Sequence, residues 1–520
     1  MICRFLVLFT LVICVSCSKQ EPFSKGQRVL TMGIGSDVES LDPRQIRDLW
    51  AISVTRLLFE GLVHSEPDGV VEPALAESWS LSPDQKTYTF HLREAVWSNG
   101  RPITSVDFER CWREALRPDF PAPNVFQMYP IRGAREAKRG ELPVESVGIS
   151  TPDERTLVVE LAEPTPYFLE LLTSQIFFAV PEEWDQGELV VNGPYKMTKW
   201  EHQHQLIFEK NPEFWRSEDV GVEAISCLQV DPNTAYQMFQ KGNLGWTGSP
   251  LTTIPIDLIP VLKENGQFHS AQAAGLHWFR FQTEKAPFDN VKMRRAFSLA
   301  MNREEICRYV VVGGEKPACG VIPPMMRQGW SQVACFADHD VEEAKRLFEE
   351  ALLEMKLTRE TLPKITVSCP AMEQRVRILQ AVQQQWEKAF GISIKIERVE
   401  LGSYFQKVSR GDYQVASGTW FADFRDPITI LGAFETKELS TNSTRWEDPV
   451  YQSLLKKSES EMNEGRRKAL LEQAERLLME EMPIAPVFYY TFYYAKDPKL
   501  EGVYFSELGY LDFSRSYWKK

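Results

Sequence analysis

The sequence predicts an α/β protein of more than one domain. Its 520 residues are about three to four times the length of a usual single domain. Strand-like and helix-like stretches alternate along the chain without an internal repeat. Between 365 and 396 the pattern is strand, long amphipathic helix, strand, which calls for a sheet largely covered by helices.

The elements can be justified in order. Residues 29–35 (VLTMGIG) form a short apolar strand, and 51–60 carry a helical pattern that stops at Gly61. Residues 88–92 alternate as a strand. Residues 105–116 read as a helix with Asp107 in its first turn, and 156–161 as another strand. Asn192, Gly193, Pro194 and Tyr195 signal a turn before strands near 196–200 and 206–210. In the second half, Asp340 is a good N-cap and Glu343 completes a capping box. Ala344, Leu347, Phe348, Ala351, Leu352 and Met355 then form one apolar stripe. Residues 365–368 are a strand. A helix over 372–390 puts Val376, Leu379, Val382 and Trp386 on its apolar side and stops at Gly391. Ile392, Ile394 and Ile396 alternate as the next strand, a helix pair follows over 449–480, and aromatic strands over 487–494.

Composition narrows the function. Apolar residues are 43% and charged residues 25%, which excludes collagenous or disordered chains. Lys and Arg number 59 against 72 Asp and Glu, a formal charge of −13. So acidic a chain is a poor binder of phosphate backbones or anionic lipid heads, and no nucleic-acid partner is expected. Aromatics reach 12%, which suits either a large core or sticky clefts.

The N-terminus sets the compartment. Arg4 precedes an apolar run over 5–15, too short to span a bilayer and suited to a secretory signal. The run ends at Cys14-Val15-Ser16-Cys17, small residues before a cysteine that resemble a bacterial lipobox. Residues 1–16 are therefore read as a signal peptide, Cys17 as the lipidated residue and 17–27 as a polar tether. Cys14 stands where such motifs usually carry Leu, so plain secretory cleavage is the alternative. Of the remaining cysteines, Cys319 and Cys335 flank a Gly/Pro-rich stretch and are the best candidates for a disulfide; buried free thiols are the other reading.

Catalytic motifs are missing. The chain has no G-x-S-x-G, H-E-x-x-H, Walker loop or G-x-G-x-x-G. Among seven histidines only His202 and His204 are close in sequence. In a strand they would share a face and could ligate a metal; near a hairpin turn they are simply polar. No cofactor or metal is expected, and the protein is not expected to be an enzyme.

Four segments carry a resemblance. They are 72–107 (EPALAESWSLSPDQKTYTFHLREAVWSNGRPITSVD), 192–215 (NGPYKMTKW, then NPEFW), 288–306 (FDNVKMRRAFSLAMNREEI) and 411–427 (GDYQVASGTWFADFRDP). Their order and spacing resemble the extracytoplasmic solute-binding proteins of the peptide/nickel/opine class (family 5), and its oligopeptide binders in particular. The resemblance implies a type II periplasmic binding protein: two lobes, an additional inserted domain, and a ligand cleft between the lobes. Lobe I would be 28–59, 184–274 and 490–520; the extra domain 60–183; lobe III 275–489. The family closes around an extended peptide and hands it to a membrane permease driven by ATP. The chain would thus be a monomeric lipoprotein of the cell envelope, periplasmic and membrane-anchored through Cys17.

The resemblance also assigns roles. Asp423 matches the family aspartate that pairs with the peptide's α-ammonium; alternatively it caps a turn before Pro427. Thr419, Trp420 and Phe421 would offer main-chain groups as a strand does to an added strand. Arg47, Asp48 and Leu49 would face the ligand from the opposite edge; the family has an acid near position 47, so either Asp48 substitutes for it or the ligand preference differs. Arg375, where the family carries His, is a candidate for the ligand's carboxylate, as is Arg410; Arg375 could equally be a surface helix arginine. Val408 and Ser417 stand where the family has further arginines, and Gly275 and Phe421 where it has a disulfide. Within the fold, murein peptides or dipeptides are the alternative ligands, with haem or nickel disfavoured by the few histidines. Outside it, a holdase chaperone of the envelope or a secreted hydrolase would be the alternatives.

Overall fold

A computed structural model describes residues 29–46, 48–66, 69–182, 189–330 and 336–520. The signal peptide, Cys17, Arg47 and Cys335 lie outside these residues.

The largest unit is a mixed eleven-stranded sheet. In chain order its main strands are β1 (Val29–Ile34), β2 (Tyr195–Glu201), β3 (Gln205–Lys210), β4 (Ala224–Gln229) and β5 (Trp246–Gly248). They continue with β6 (His269–Phe281), β7 (Ile365–Pro370), β8 (Ile394–Val399), β9 (Val415–Phe421) and β10 (Ile484–Lys496). Their spatial order is β8-β7-β9-β6-β10-β5-β1-β4-β3-β2, with Lys316–Pro317 pairing β10. β6 and β10 are antiparallel and long, and each serves two neighbourhoods. The start of β6 pairs the end of β10 (His269 with Tyr494), next to β5 and β1. The end of β6 pairs the start of β10 (Arg280 with Ile484), next to β9 and β7. The register slips between Gln272 and Leu276, a bulge that bends the ribbon between the two halves. The fold is therefore two-lobed, as expected.

The strand-helix-strand reading at 365–396 holds. β7 leads into α2 (Glu373–Phe390) and returns as β8, parallel to β7 from Ile365↔Ile394 to Pro370↔Val399. Gly391 ends the helix at φ 67°, the left-handed turn glycine takes without steric cost. The apolar side of α2 packs on β6: Trp386 is fully buried between Phe279 (5.4 Å) and Phe297 (5.0 Å), and its indole donates to the Phe297 carbonyl at 2.7 Å. Asp340 caps the helix Val341–Glu354, accepting from the Glu343 amide.

The inserted domain has its own antiparallel sheet, ordered Ala76–Leu81, Thr87–Leu92, Thr156–Glu160, Ile149–Asp153. Helix Ser105–Ala115 packs with it; its buried Trp112 donates to the Phe177 carbonyl at 2.9 Å. The chain enters and leaves this domain through a clamp. The Asn192 side chain holds the Glu60 backbone at both N–H and C=O (3.1 Å each), and the Gly193 amide donates to the Leu58 carbonyl at 2.8 Å. A Cβ on Gly193 would fall 2.5 Å from the Leu58 carbonyl carbon, so only glycine permits this approach. The first expected helix is α1 (Leu49–Leu58); it starts earlier than its apolar pattern because Asp48 caps it.

His202 and His204 lie in the hairpin turn between β2 and β3, not in a strand; His202 bonds Asp37 at 3.1 Å. Cys111, Cys227, Cys307 and Cys369 are buried free thiols, and Cys319 is disulfide-bonded. Among the described residues no helix is long and apolar enough to cross a membrane.

Trp386→Ala should cost about 3–5 kcal/mol of stability by leaving a cavity among Phe279, Phe297 and Phe390. Urea denaturation of the variant measures this, and a loss under about 1 kcal/mol would contradict the packing described.

Candidate functional site

The site follows from where chain direction splits. β7 and β9 are parallel neighbours, but they continue to opposite faces of the sheet. β7 runs into α2 on the face carrying Phe279. β9 runs into 422–434 on the face carrying Trp278, whose ring meets Phe434 at 5.7 Å. Adjacent strands that diverge in this way leave a crevice at their carboxyl ends, the usual ligand position in open α/β sheets.

β9 also has an open edge there. Against β7 it pairs only through Val415 and Ala416, while β6 pairs it along its whole length. From Gly418 to Phe421 the second edge has no partner strand among the described residues. Unpaired N–H and C=O groups in a row are a template for another extended chain. Thr419, Trp420 and Phe421 lie on this stretch, each half-buried. Phe421 packs against Tyr490 (5.0 Å) and Phe492 (5.7 Å), and Trp420 stacks on Trp278. Gly275 is directly opposite Phe421, and a Cβ there would sit 2.4 Å from the ring. The aromatic ring thus covers the glycine across the strand pair.

Asp423 follows the open edge. Its carboxylate accepts from the Thr429 hydroxyl (3.2 Å), whose oxygen accepts from the Asp423 amide (3.2 Å). Among the described residues no cation pairs with it. Burial pushes its pKa up to about 6, only partly offset by the Thr429 hydrogen bond. Two neighbouring charges are used differently. Asp426 is held bidentately by Arg467 (2.6 and 2.8 Å), and Arg425 bonds Glu507 at 2.9 Å, joining this segment to the C-terminal part of the chain.

Two cations stand near the other end of the open edge: Arg280, whose guanidinium would lie 2.3 Å from a Cβ on Gly418, and Arg375, in the first turns of α2. The Nη1 of Arg375 donates to Nδ1 of His277 at 2.7 Å, and its guanidinium lies 5.6 Å from the Tyr490 ring. His277 is the cross-strand partner of Thr419, whose hydroxyl meets that of Tyr490 at 3.5 Å. No described carboxylate pairs with Arg375. The structure thus gathers Thr419, Trp420, Phe421, Asp423 and Arg375 along one strand end. It does not bring Arg410 to them: this exposed residue ends α3 (Leu401–Arg410), at the opposite end of β9. Asp48 is exposed, and its carboxylate is engaged at 2.8 Å by the Ala51 amide. Val408 and Ser417 are buried, and the Ser417 carbonyl accepts from Tyr404.

Sequence reasoning missed His277, Tyr490, Phe492 and Thr429. The signal available for His277 was a lone imidazole inside an apolar strand; what it touches depends on α2, nearly a hundred residues later. One group, His64, Glu66 and Glu72, brings three metal-capable atoms together, but Glu66 already takes two hydrogen bonds from Arg515 (2.9 and 2.6 Å).

Comparisons with known proteins bear on the family and the fold. The sequence model described as bacterial extracellular solute-binding proteins, family 5 (middle), matches residues 70–442. The chain is 35% identical to the oligopeptide-binding protein OppA of Bacillus subtilis, over 100% of this chain and 99% of that one. Its structure resembles the murein tripeptide binding protein MppA of Escherichia coli (26% identity, TM-score 0.78, 95% and 99% coverage). It also resembles OppA of Haemophilus influenzae in complex with the peptide RPPGFSPFR (26% identity, TM-score 0.75, 95% and 99% coverage). With its two lobes, inserted domain and crevice at the strand ends, the chain belongs to the bacterial extracellular solute-binding proteins of family 5.

Proposed function

We propose that this protein is the substrate-binding component of an ATP-driven peptide importer, taking extended oligopeptides between its lobes and delivering them to a permease. The observation that carries this reading is an unpaired, half-buried carboxylate, Asp423, at the end of an open strand edge. The peptide adds to the Gly418–Phe421 edge, its α-ammonium pairs with Asp423 and its carboxylate with Arg375. The hinge lies at the divisions 274/275 and 489/490, beside the bulge in β6, with the extra domain inserted over 60–183. The protein acts as a monomer without a cofactor and is not an enzyme. Cys17 carries the lipid that holds it to the membrane on the periplasmic side. A murein-peptide receptor is the second reading, favoured by the likeness to the Escherichia coli murein tripeptide binder. Native mass spectrometry of protein purified from cells tests the function: a trapped peptide supports it, and a haem or metal mass refutes it.

Asp423→Ala should weaken free-amine peptides about 10- to 100-fold, the worth of a charge-assisted hydrogen bond, while N-acetylated peptides bind poorly to the unaltered protein. Equal calorimetric affinities for acetylated and free peptides would refute the ammonium role.

The raised pKa of Asp423, about 6, gives a pH dependence. An ammonium ligand needs the ionised carboxylate, so affinity should fall as pH drops through 6, approaching about tenfold per unit below it. For the empty protein the sign is opposite. The protonated group is the favoured one, so its contribution to stability is full below about 4 and is lost as pH rises through about 6. Calorimetry from pH 7.5 to 5 in two buffers, counting protons released on binding, checks the first point.

Arg375→Gln should lower affinity for free-acid peptides about tenfold and leave C-terminally amidated peptides unaffected. Equal losses for both would remove Arg375 from the carboxylate site.

A further inference from the structure

His277 carries an inference that rests on the reading of Arg375 just given. Its side chain is fully buried in β6, with the imidazole stacked on Phe488 (5.1 Å, 19° between planes) and edge-on to Phe279 (5.7 Å). The two rings hold its plane. Its Nδ1 lies 2.7 Å from Nη1 of Arg375. A guanidinium can only donate, so Nδ1 accepts and the ring proton sits on Nε2. Nε2 has no hydrogen-bond partner among the described residues. The charges nearest the imidazole are both cations, Arg375 from α2 and Arg280 from its own strand, and with burial they keep the ring neutral.

A neutral acceptor differs from the usual partner of arginine. A carboxylate would orient the guanidinium but also cancel its charge. An imidazole lone pair removes one of five donors and leaves the whole charge available. Tyr490 lies beside the guanidinium, at 5.6 Å, without neutralising it. Arg375 is thus restrained yet electrostatically unsatisfied, the condition for strong attraction to an incoming anion in a crevice of low dielectric.

We propose that His277 is a positioning residue: a neutral hydrogen-bond acceptor that aims Arg375 at the carboxylate of the bound peptide while leaving its charge uncompensated.

The test compares one tetra-alanine peptide as free acid and as C-terminal amide, by calorimetry on the full-length protein. The measured quantity is the ratio of the two dissociation constants. His277→Phe keeps the ring packing and removes the acceptor, so the ratio should fall several-fold toward one, mainly by loss of affinity for the free acid. His277→Gln offers an amide oxygen and should restore most of the ratio. A merely structural role would weaken both peptides equally and leave the ratio unchanged, which would overturn the proposal. Should the Phe variant not fold, nitrogen-15 NMR of the unaltered protein decides. An imidazole with Nε2 protonated and Nδ1 bare at pH 7 is required, and the opposite tautomer or a doubly protonated ring overturns it. If Arg375→Gln leaves the ratio unchanged, the carboxylate reading itself fails. If Arg375→Gln collapses the ratio and His277→Phe does not, only the role of His277 fails.

Discussion

The antiparallel pairing of β6 with β10 is the constraint on which the rest of the molecule depends. Each strand runs 13 residues, and each lends one end to each lobe, so both lobes are parts of one hydrogen-bonded ribbon. The register of that ribbon shifts twice, between Gln272 and Leu276 and between His277 and Trp278, and such bulges increase local twist and bend. The open edge of β9 reaches this stretch, with Phe421 across from Gly275. In the proposed binding mode, a peptide added to that edge would lie beside the irregular stretch of the ribbon.

Charge pairing separates two groups of ionised residues. Arg467 with Asp426, Arg327 with Glu475 and Arg303 with Asp338 are buried or half-buried pairs with short contacts. Breaking any of them would leave a charge stranded in a dry place. Asp423 and Arg375 are the opposite case, one stabilised only by a hydroxyl and the other only by an imidazole. Leaving two opposite charges unpaired costs stability in the empty protein. In the proposed binding mode a zwitterionic ligand would recover that cost by bringing both counter-charges.

The inserted domain is tied to the same region. Its chain enters and leaves through the Glu60–Asn192 clamp, and its Tyr167 stacks on Phe424 (5.5 Å), one residue beyond Asp423. Arg425 reaches in the other direction, to Glu507. The short segment after β9 therefore touches the inserted domain and the C-terminal part of the chain at once.

Much of this was legible in the sequence, and the reason is local. The helix over 373–390, the strands around it, the stop at Gly391 and the cap at Asp340 follow from apolar periodicity and from residues whose backbone preferences act within one turn. The AESW, TYTF and GTWFADF segments carried the family because each is a contiguous strand and turn. The resemblance also singled out Thr419, Trp420, Phe421 and Asp423, which lie on the open edge and just beyond it. Tertiary structure alone decided which polar residues meet. Whether an arginine on α2 faces water or the cleft depends on His277 and Tyr490, which approach it from two distant strands. Arg410 is close to Asp423 in number yet is carried away by a strand about 3.3 Å long per residue. Asp48 was consumed by a helix cap three residues on. Short-range preferences are written residue by residue; the partners of a charge are set by packing between elements far apart in the chain, and no local pattern encodes them.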